Sequence, residues 1–376
     1  MILQELSLLN YKNVEEATLS LSPSINCFVG ANGMGKTNLV DAIYFLSFCR
    51  SASYAQDTLC IRHDAEEMMV RGRYVRDDGG SETVCISLRR GGRKRIRRDD
   101  KDVRRVSEHV GRCPLVLISP QDGSLASGGS EERRRFVDIA ISQHDPAYLE
   151  ALIRYDKALR QRNALLKQEA EPEEAVMEVL EAMMDEQAGV IAAARRAFVE
   201  DFRPELRRIY TALCNTADED IDIALQTHAD RGPLLPQLAE GRNRERIVGY
   251  TLHGPHKDDL LLTLRGYPVK QEASQGQTKT LTIAMKLAQF SYIDRKGAQR
   301  KPLLLLDDIF DKLDAGRVAR IVDFVTGEGF GQIFITDTNR EHIDQVLAGS
   351  KRDYRLYHIA DGAAREATPP TPHANA

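Results

Sequence analysis

The stretch "NCFVGANGMGKTNLVDAIYF", starting at Asn26, constrains this chain more than any other. Gly30, Gly35, Lys36 and Thr37 fit the G-x-x-x-x-G-K-[ST] pattern. In that pattern a glycine-rich turn wraps backbone N–H groups around a phosphate, and the next helix points its positive end at it. The context is the one the motif requires. Ile25 to Val29 is a short apolar run of buried-strand type, and Leu39, Ile43, Leu46 and Phe48 give the following segment an apolar face. The loop Gly30, Ala31, Asn32, Gly33, Met34 and Gly35, with Lys36, Thr37 and Asn38, is therefore expected to bind a nucleotide. Lys36 would reach the β- and γ-phosphates and Thr37 would ligate Mg²⁺. A glycine-rich turn with a surface lysine is the alternative.

Two later segments bear on the same site. "KPLLLLDDIFDKLDAGR" is an apolar strand ending in two aspartates. Asp307 is placed to hold the Mg²⁺ shell, and Asp308 to reach a water in line with the γ-phosphate. In "EASQGQTKTLTIAMKLAQF", Ser274, Gly276 and Gln277 precede a helix with apolar Leu281, Ala284, Met285 and Ala288. Alone this is an ordinary helix entry. Standing about thirty residues before the acidic strand, it resembles the signature loop of ATP-binding-cassette proteins. Such a loop serves the γ-phosphate of a partner protomer's nucleotide through a serine, backbone amides and a helix N-terminus.

A chain of 376 residues is long for one core and predicts two lobes. No apolar run is long enough to cross a bilayer and the N-terminus lacks a secretion-signal layout, so a cytoplasmic protein with no membrane partner is expected. The six scattered cysteines read as reduced thiols, and His253 and His256 have no third metal ligand nearby. The net charge of -4 hides a polarised distribution. Arg89, Arg90, Arg93, Lys94, Arg95, Arg97 and Arg98 form one basic cluster, Arg133, Arg134 and Arg135 another, while acid concentrates at 169–186 and 218–222. The basic clusters suit DNA phosphates. Without interleaved aromatic residues they do not suit stacked bases. A solvated hairpin tip would have the same composition.

Along the chain, Ile2, Leu6 and Leu8 mark one strand and Ile25 to Val29 another. A β-meander from 65 to about 103 turns at Asp78-Gly79-Gly80 and Gly91-Gly92, and "CPLVLISPQD" is a further buried strand. Helices follow: one N-capped by Ser130, then 146 to about 170 and 172 to about 202, the last two packing antiparallel. From Thr251 strand texture returns, with a helix from about Thr278 and the strands of "PLLLLDDIF" and "GQIFITDT". The expectation is an α/β fold split by a mainly helical insertion. Residues 1–122 and 251–362 form the cassette lobe, 123–250 the insertion, and 363–376 a disordered tail.

The order of these parts is similar to that of the RecF family, relatives of SMC and Rad50 heads. "LNYKN", "GANGMGKTNLVDAIYFLSFCRS", "LISPQDGSLASGGSEERRRFVD", "LHGPHKDDL", "SQGQTKTLTIAMKLA" and "LLLLDDIFDKLD" carry the resemblance. It implies an ATP-binding-cassette head with Gln121 as the Q-loop residue at the metal, Asp314 as the D-loop aspartate and Lys12 as a nucleotide contact. It further implies an ATP-dependent homodimer on duplex DNA or duplex–single-strand junctions, with slow hydrolysis, acting with RecR and RecO to load RecA. Lys12 and Lys279 stand where arginine is usual, Asp311 where a small hydroxyl residue is common, and Asp337 where transporter ATPases carry a histidine. A transporter subunit would place the signature about a hundred residues after the P-loop, against more than twice that here. An SMC or Rad50 head would carry long heptad arrays, and a metabolic kinase would need no signature.

Overall fold

The computed structural model describes residues 1–169, 172–214, 220–297, 300–310, 315–327, 329–347 and 352–367. They fall into two compact units, one of Met1–Asp122 with the residues from Ile293 onward, the other Gly123–Tyr292. The segment 251–292, expected in the cassette lobe, thus groups with the helical insertion.

The runs INCFV, LLLLD and IFITD are buried at every position. Only a strand covered on both faces tolerates such continuous apolarity, which is the signature of a parallel sheet. They form its centre. Across the sheet lie Ala363–Ala367, Tyr354–Ala360, Ile25–Val29, Ile333–Asp337, Leu303–Asp307 and Leu115–Ile118. All neighbours are parallel except the Ala363–Ala367 edge. That edge strand occupies the start of the segment expected to be a disordered tail; its backbone pairs with 356–360, and residues 368–376 lie outside the described set. Register sets Val29 beside Asp337, Thr336 beside Asp307, and Leu306 beside Ile118. The carboxyl ends of the strands are therefore level, where α/β sheets bind ligands.

The second sheet of this unit is the expected meander, extended by the unforeseen strand Val14–Ser20. Its order is Val14–Ser20, Ile2–Tyr11, Glu67–Val75, Ser81–Arg89, Arg95–Arg98 and Lys101–Asp102, all antiparallel. The helix Lys36–Phe48 touches both sheets and from Leu39 onward is buried all round, not on one apolar face as its pattern suggested. Gln332 stitches the sheets together. Its amide donates to the carbonyls of Leu3 (2.8 Å) and Ser22 (2.7 Å) and accepts from Leu3 N–H (2.8 Å).

The second unit packs Ser130–Ser142, Pro146–Leu166, Glu174–Cys214 and Leu234–Val248 with most of Gln275–Lys296 and a three-stranded antiparallel sheet. Ser130 is the first helical residue, not the cap. The long helix runs through Pro204, past the end expected near Phe202. Leu206, Ile209, Tyr210 and Leu213 are buried beyond the proline, and this apolar burial outweighs the one lost backbone bond.

The motif "GPHKDDL" finds its physical account here. Buried Arg195 donates to Pro255 O (2.7 Å), Asp258 (2.8 Å), Asp138 (2.9 Å) and the Tyr148 hydroxyl (3.2 Å). Burial alone would lower the Arg195 pKa, but Asp138, Tyr148 and Asp258 overcome it and raise it. Burial pushes His256 down to about 4, so its ring is neutral. Its Nε2–H donates to Thr251 O (3.1 Å), and Nδ1 accepts from the Tyr155 hydroxyl (2.7 Å). Both ring nitrogens are taken, and among the described residues no cluster of metal ligands occurs. The motif is an arginine-fastened joint. Removing one partner of a buried ionic cluster costs about 3–5 kcal/mol. Arg195→Met should therefore lower the first urea midpoint of the full chain by roughly 2 M. An unchanged midpoint would contradict this assignment.

Candidate nucleotide-binding site

The strand Ile25–Val29 delivers Gly30 so close to the next strand that a Cβ there would collide with the Ile359 carbonyl oxygen. Gly33 (φ 81°) and Gly35 (φ 111°) take left-handed backbone, which glycine adopts without strain. Asn13 pins the loop, donating to Met34 O (3.3 Å) and accepting from Asn38 (2.6 Å). Ala31, Asn32 and Gly33 remain exposed. Lys36 Nζ donates to Gly30 O (2.7 Å) and Ala31 O (3.1 Å) with its side chain buried. Burial lowers its pKa, opposed by Asp308, Asp307 and Asp337. The charge is held inside the curl of the loop.

Asp307 ends its strand 5% exposed. One oxygen, Oδ1, accepts from both Thr37 Oγ1 (3.1 Å) and Thr336 Oγ1 (2.8 Å). Thr37 lies in the first turn of the P-loop helix and Thr336 is the penultimate residue of the intervening strand, so one carboxylate ties three elements together. Burial pushes the Asp307 carboxyl above the usual range, against the pull of Thr336 and Thr37. The donor set of hydroxyl and carboxylate oxygens fits Mg²⁺, a hard cation. Asp308 leaves the strand at φ 52°, with its N–H donating to Thr336 Oγ1 (2.9 Å) and its side chain half-buried. Gln121 stands exposed in the turn Pro120–Gly123, just after the strand that ends level with Leu306. Buried Asp337 caps the next turn, accepting from Asn339 N–H (2.8 Å). Asp311 and Asp314 lie outside the described residues. Thr336 and Asn13 were not anticipated. The polar "TD" closing an apolar run is the same signal that marked Asp307.

Lys12 is buried in an ion pair with Asp41 (2.7 Å) on the P-loop helix. The signature segment belongs to the second unit. Ser274 N–H donates to Gln277 Oε1 (2.8 Å), and Gln277 N–H donates to Ser274 Oγ (3.2 Å). This reciprocal pair is a capping box, and it starts the helix at Gln275, earlier than its apolar pattern indicated. Ser274 is exposed and Gly276 half-exposed.

The basic clusters are largely engaged within the fold. Arg90 donates to Ala65 O (2.9 Å) and Arg62 O (3.1 Å), and Lys94 to Cys49 O and Asp57. Arg95 grips Asp102 through two bonds of 3.0 Å, Arg97 reaches the same carboxylate at 3.4 Å, and Arg98 lies 3.9 Å from Glu82. Arg133 forks onto Asp259 (2.7 and 2.9 Å), and Arg134 donates to Asp258 O (2.7 Å). Burial and the neighbouring Arg195 lower the Arg134 pKa. Arg133 and Arg134 thus bind the "GPHKDDL" joint. Arg89, Arg93 and Arg135 are exposed, with no carboxylate partner recorded among the described residues.

The model of the RecF/RecN/SMC N terminal domain matches residues 2–363. The chain belongs to the RecF family. Curated relatives named DNA replication and repair protein RecF include one from Phocaeicola vulgatus, 50% identical over 97% of this chain and 98% of that relative. Another, from Bacteroides fragilis, is 48% identical with the same coverage. A solved structure of the recombination mediator RecF with ATP, from the RecFOR pathway, superposes on this RecF-family chain with TM-score 0.87. It is 26% identical, over 98% of each chain. The Smc head domain of Pyrococcus furiosus, 17% identical, covers 97% of this chain and 96% of its own with TM-score 0.57. That likeness shows the ATP-binding-cassette head fold, as expected from the sequence.

The raised Asp307 pKa means that its ionised form costs the folded state free energy at neutral pH, and the cost is relieved as pH falls through the folded pKa. Asp307→Asn keeps an oxygen for both threonines and removes the charge. The ligand-free variant should melt at a higher temperature than the parent at pH 7–8. That margin should shrink on acidification. A lower melting temperature at neutral pH would contradict the burial argument.

Proposed function

We propose that this RecF-family chain is an ATP-switched DNA-binding recombination mediator. One observation carries the reading: the shared oxygen of Asp307, which joins Thr37 of the P-loop helix to the end of the acidic strand. A P-loop with its lysine held inside the loop and a carboxylate on its threonine is equipped for a nucleoside triphosphate and a divalent cation. The N–H groups of the loop cradle the phosphates, and Lys36 turns from the Gly30 and Ala31 carbonyls to phosphate oxygens of ATP. Thr37, Asp307 and Gln121 would hold Mg²⁺, which neutralises phosphate charge when bound.

Asp308 orients the attacking water and accepts its proton. Its left-handed backbone takes the side chain out of the strand's alternation. An aspartate reaches one methylene less far than a glutamate. Turnover is accordingly slow, well below the typical enzyme rate of about 10 per second. The exposed capping serine of the signature, at the N-terminus of a 22-residue helix, serves the γ-phosphate of a second copy with Gly276 and Gln277, and Asp314 is a further nucleotide contact in this reading. ATP thereby closes a homodimer on duplex DNA or a duplex–single-strand junction. Following the family, it acts in the cytoplasm with RecR and RecO to load RecA at gaps. No helix among the described residues is long and apolar enough to cross a membrane. Arg89 and Arg93 of the hairpin, and Arg135 of the helix Ser130–Ser142, contact DNA phosphates, while the paired Arg90, Arg95 and Arg97 shape the hairpin.

Duplex binding by the full chain tests this, measured against salt with and without ATP. ATP should tighten binding and produce a dimer by light scattering; Lys36→Met should lose both effects. Replacing Arg89 and Arg93 together by alanine should flatten the salt slope by about 1.8, from about 0.9 per phosphate contact. ATP-independent binding that Lys36→Met leaves intact would remove the switch from the account.

A further inference from the structure

A carboxylate inside a helix buried between two sheets needs compensation on every lone pair. Asp41 lies one turn, about 6 Å, beyond Thr37, and is 2% exposed. Its Oδ2 accepts from the Tyr11 hydroxyl (2.6 Å) and Ser51 Oγ (2.8 Å) and pairs with Lys12 Nζ (2.7 Å). Its Oδ1 accepts from Ala52 N–H (2.6 Å). The same carboxylate therefore fixes two segments, the turn Tyr11–Asn13 and the chain leaving the P-loop helix at Ser51. Ser51 Oγ in turn accepts from the N–H groups of Ser53 and Tyr54, both at 3.1 Å.

This bracing brings the Tyr54 ring over the Lys12 ammonium, 4.6 Å from the ring centroid. Lys12 is enclosed, its side chain 5% exposed, whereas Tyr54 is 43% exposed. The ring has a fixed cation on one face and its other surface toward solvent. Next to Lys12 in sequence, Asn13 packs on Gly35 and bonds Met34 O and Asn38. The aromatic platform and the phosphate loop thus rest on one turn of the chain.

We propose that the outer face of Tyr54 receives the base of the nucleotide whose phosphates the P-loop holds, with Lys12 as its positioning residue. The proposal rests on the reading of the P-loop given above. Lys12, expected from the sequence to touch the nucleotide, acts instead through the tyrosine. A cation behind the ring withdraws π density and strengthens stacking of an electron-rich base on the opposite face. Every base has a π-face, so the platform supplies affinity and not the choice between bases.

The test compares ATP with inorganic tripolyphosphate as ligands of the full chain, by calorimetry. In the parent, ATP should bind more tightly than tripolyphosphate. Tyr54→Ala should weaken ATP about ten-fold, the size of one base–aromatic stack, and leave tripolyphosphate unchanged. Tyr54→Phe should behave as the parent. Equal weakening of both ligands by Tyr54→Ala would mean that Tyr54 only shapes the loop, and no effect on ATP would mean that it touches no base. Either result overturns the proposal. Lys36→Met separates this from failure of the underlying reading: it should weaken both ligands, and if it weakens neither, the P-loop assignment itself falls.

Discussion

The oxygen of Asp307 that accepts from both Thr37 and Thr336 is the contact on which the rest of the first unit turns. A charged oxygen at the closed end of a parallel sheet is tolerated only where it is bonded. Those bonds align the P-loop helix, the acidic strand and the strand between them. The Asp308 N–H then bonds the same Thr336 hydroxyl, so Asp308 is linked to Asp307 through a single side chain. Any shift in how Asp307 is satisfied, by a cation or by a proton, reaches Asp308 through one side chain. Buried Gln332 ties the Leu3 strand of the meander sheet to the parallel sheet, and Asp41 ties the P-loop helix to Tyr11 and Lys12.

Much of the positive charge of the two basic clusters, and of the second unit's core, is engaged inside the fold. Arg133, Arg134 and Arg195 gather around the 254–259 segment. Arg162 is fully buried, bonded to Glu181 (2.8 Å) and paired with Glu245 (2.6 Å). Such clusters contribute less to net stability than their Coulomb energy suggests, because desolvation offsets it, yet losing one partner is costly. That asymmetry fixes the geometry of the second unit. Within the two basic clusters it leaves Arg89, Arg93 and Arg135 exposed to an external polyanion.

The nucleotide site was legible in the sequence because its parts are local. Gly30 to Thr37 and Leu303 to Asp308 each carry a strand and its functional end within a few residues, and the parallel sheet needed only their continuous apolarity. What escaped reading was long-range. Arg133 and Asp259 stand 126 positions apart, and nothing in a basic run says which of its members have an internal carboxylate. The same holds for Lys94, which resembled its solvent-facing neighbours in sequence but bonds Asp57. The strand Ile221–Gln226 and the helix Leu234–Val248 lie in a stretch of weak periodicity, and the helix through Pro204 persists because burial overrides a local breaker. Lys12 was read as a phosphate ligand by family likeness; its partner Asp41 is visible only once the turn and the helix are brought together.

The central claim is that the state of the nucleotide sets how long DNA is held. Asp308→Asn keeps the side chain's shape and removes the charge that would activate water. It should leave ATP binding and dimer closure intact. The decisive quantity is the lifetime of the ATP-bound protein on duplex DNA after excess competitor DNA is added. The account predicts a lifetime prolonged by about a hundred-fold, the effect of losing a general base at the low end of its usual 10²–10⁴ contribution. A variant that dissociates as fast as the parent would contradict it.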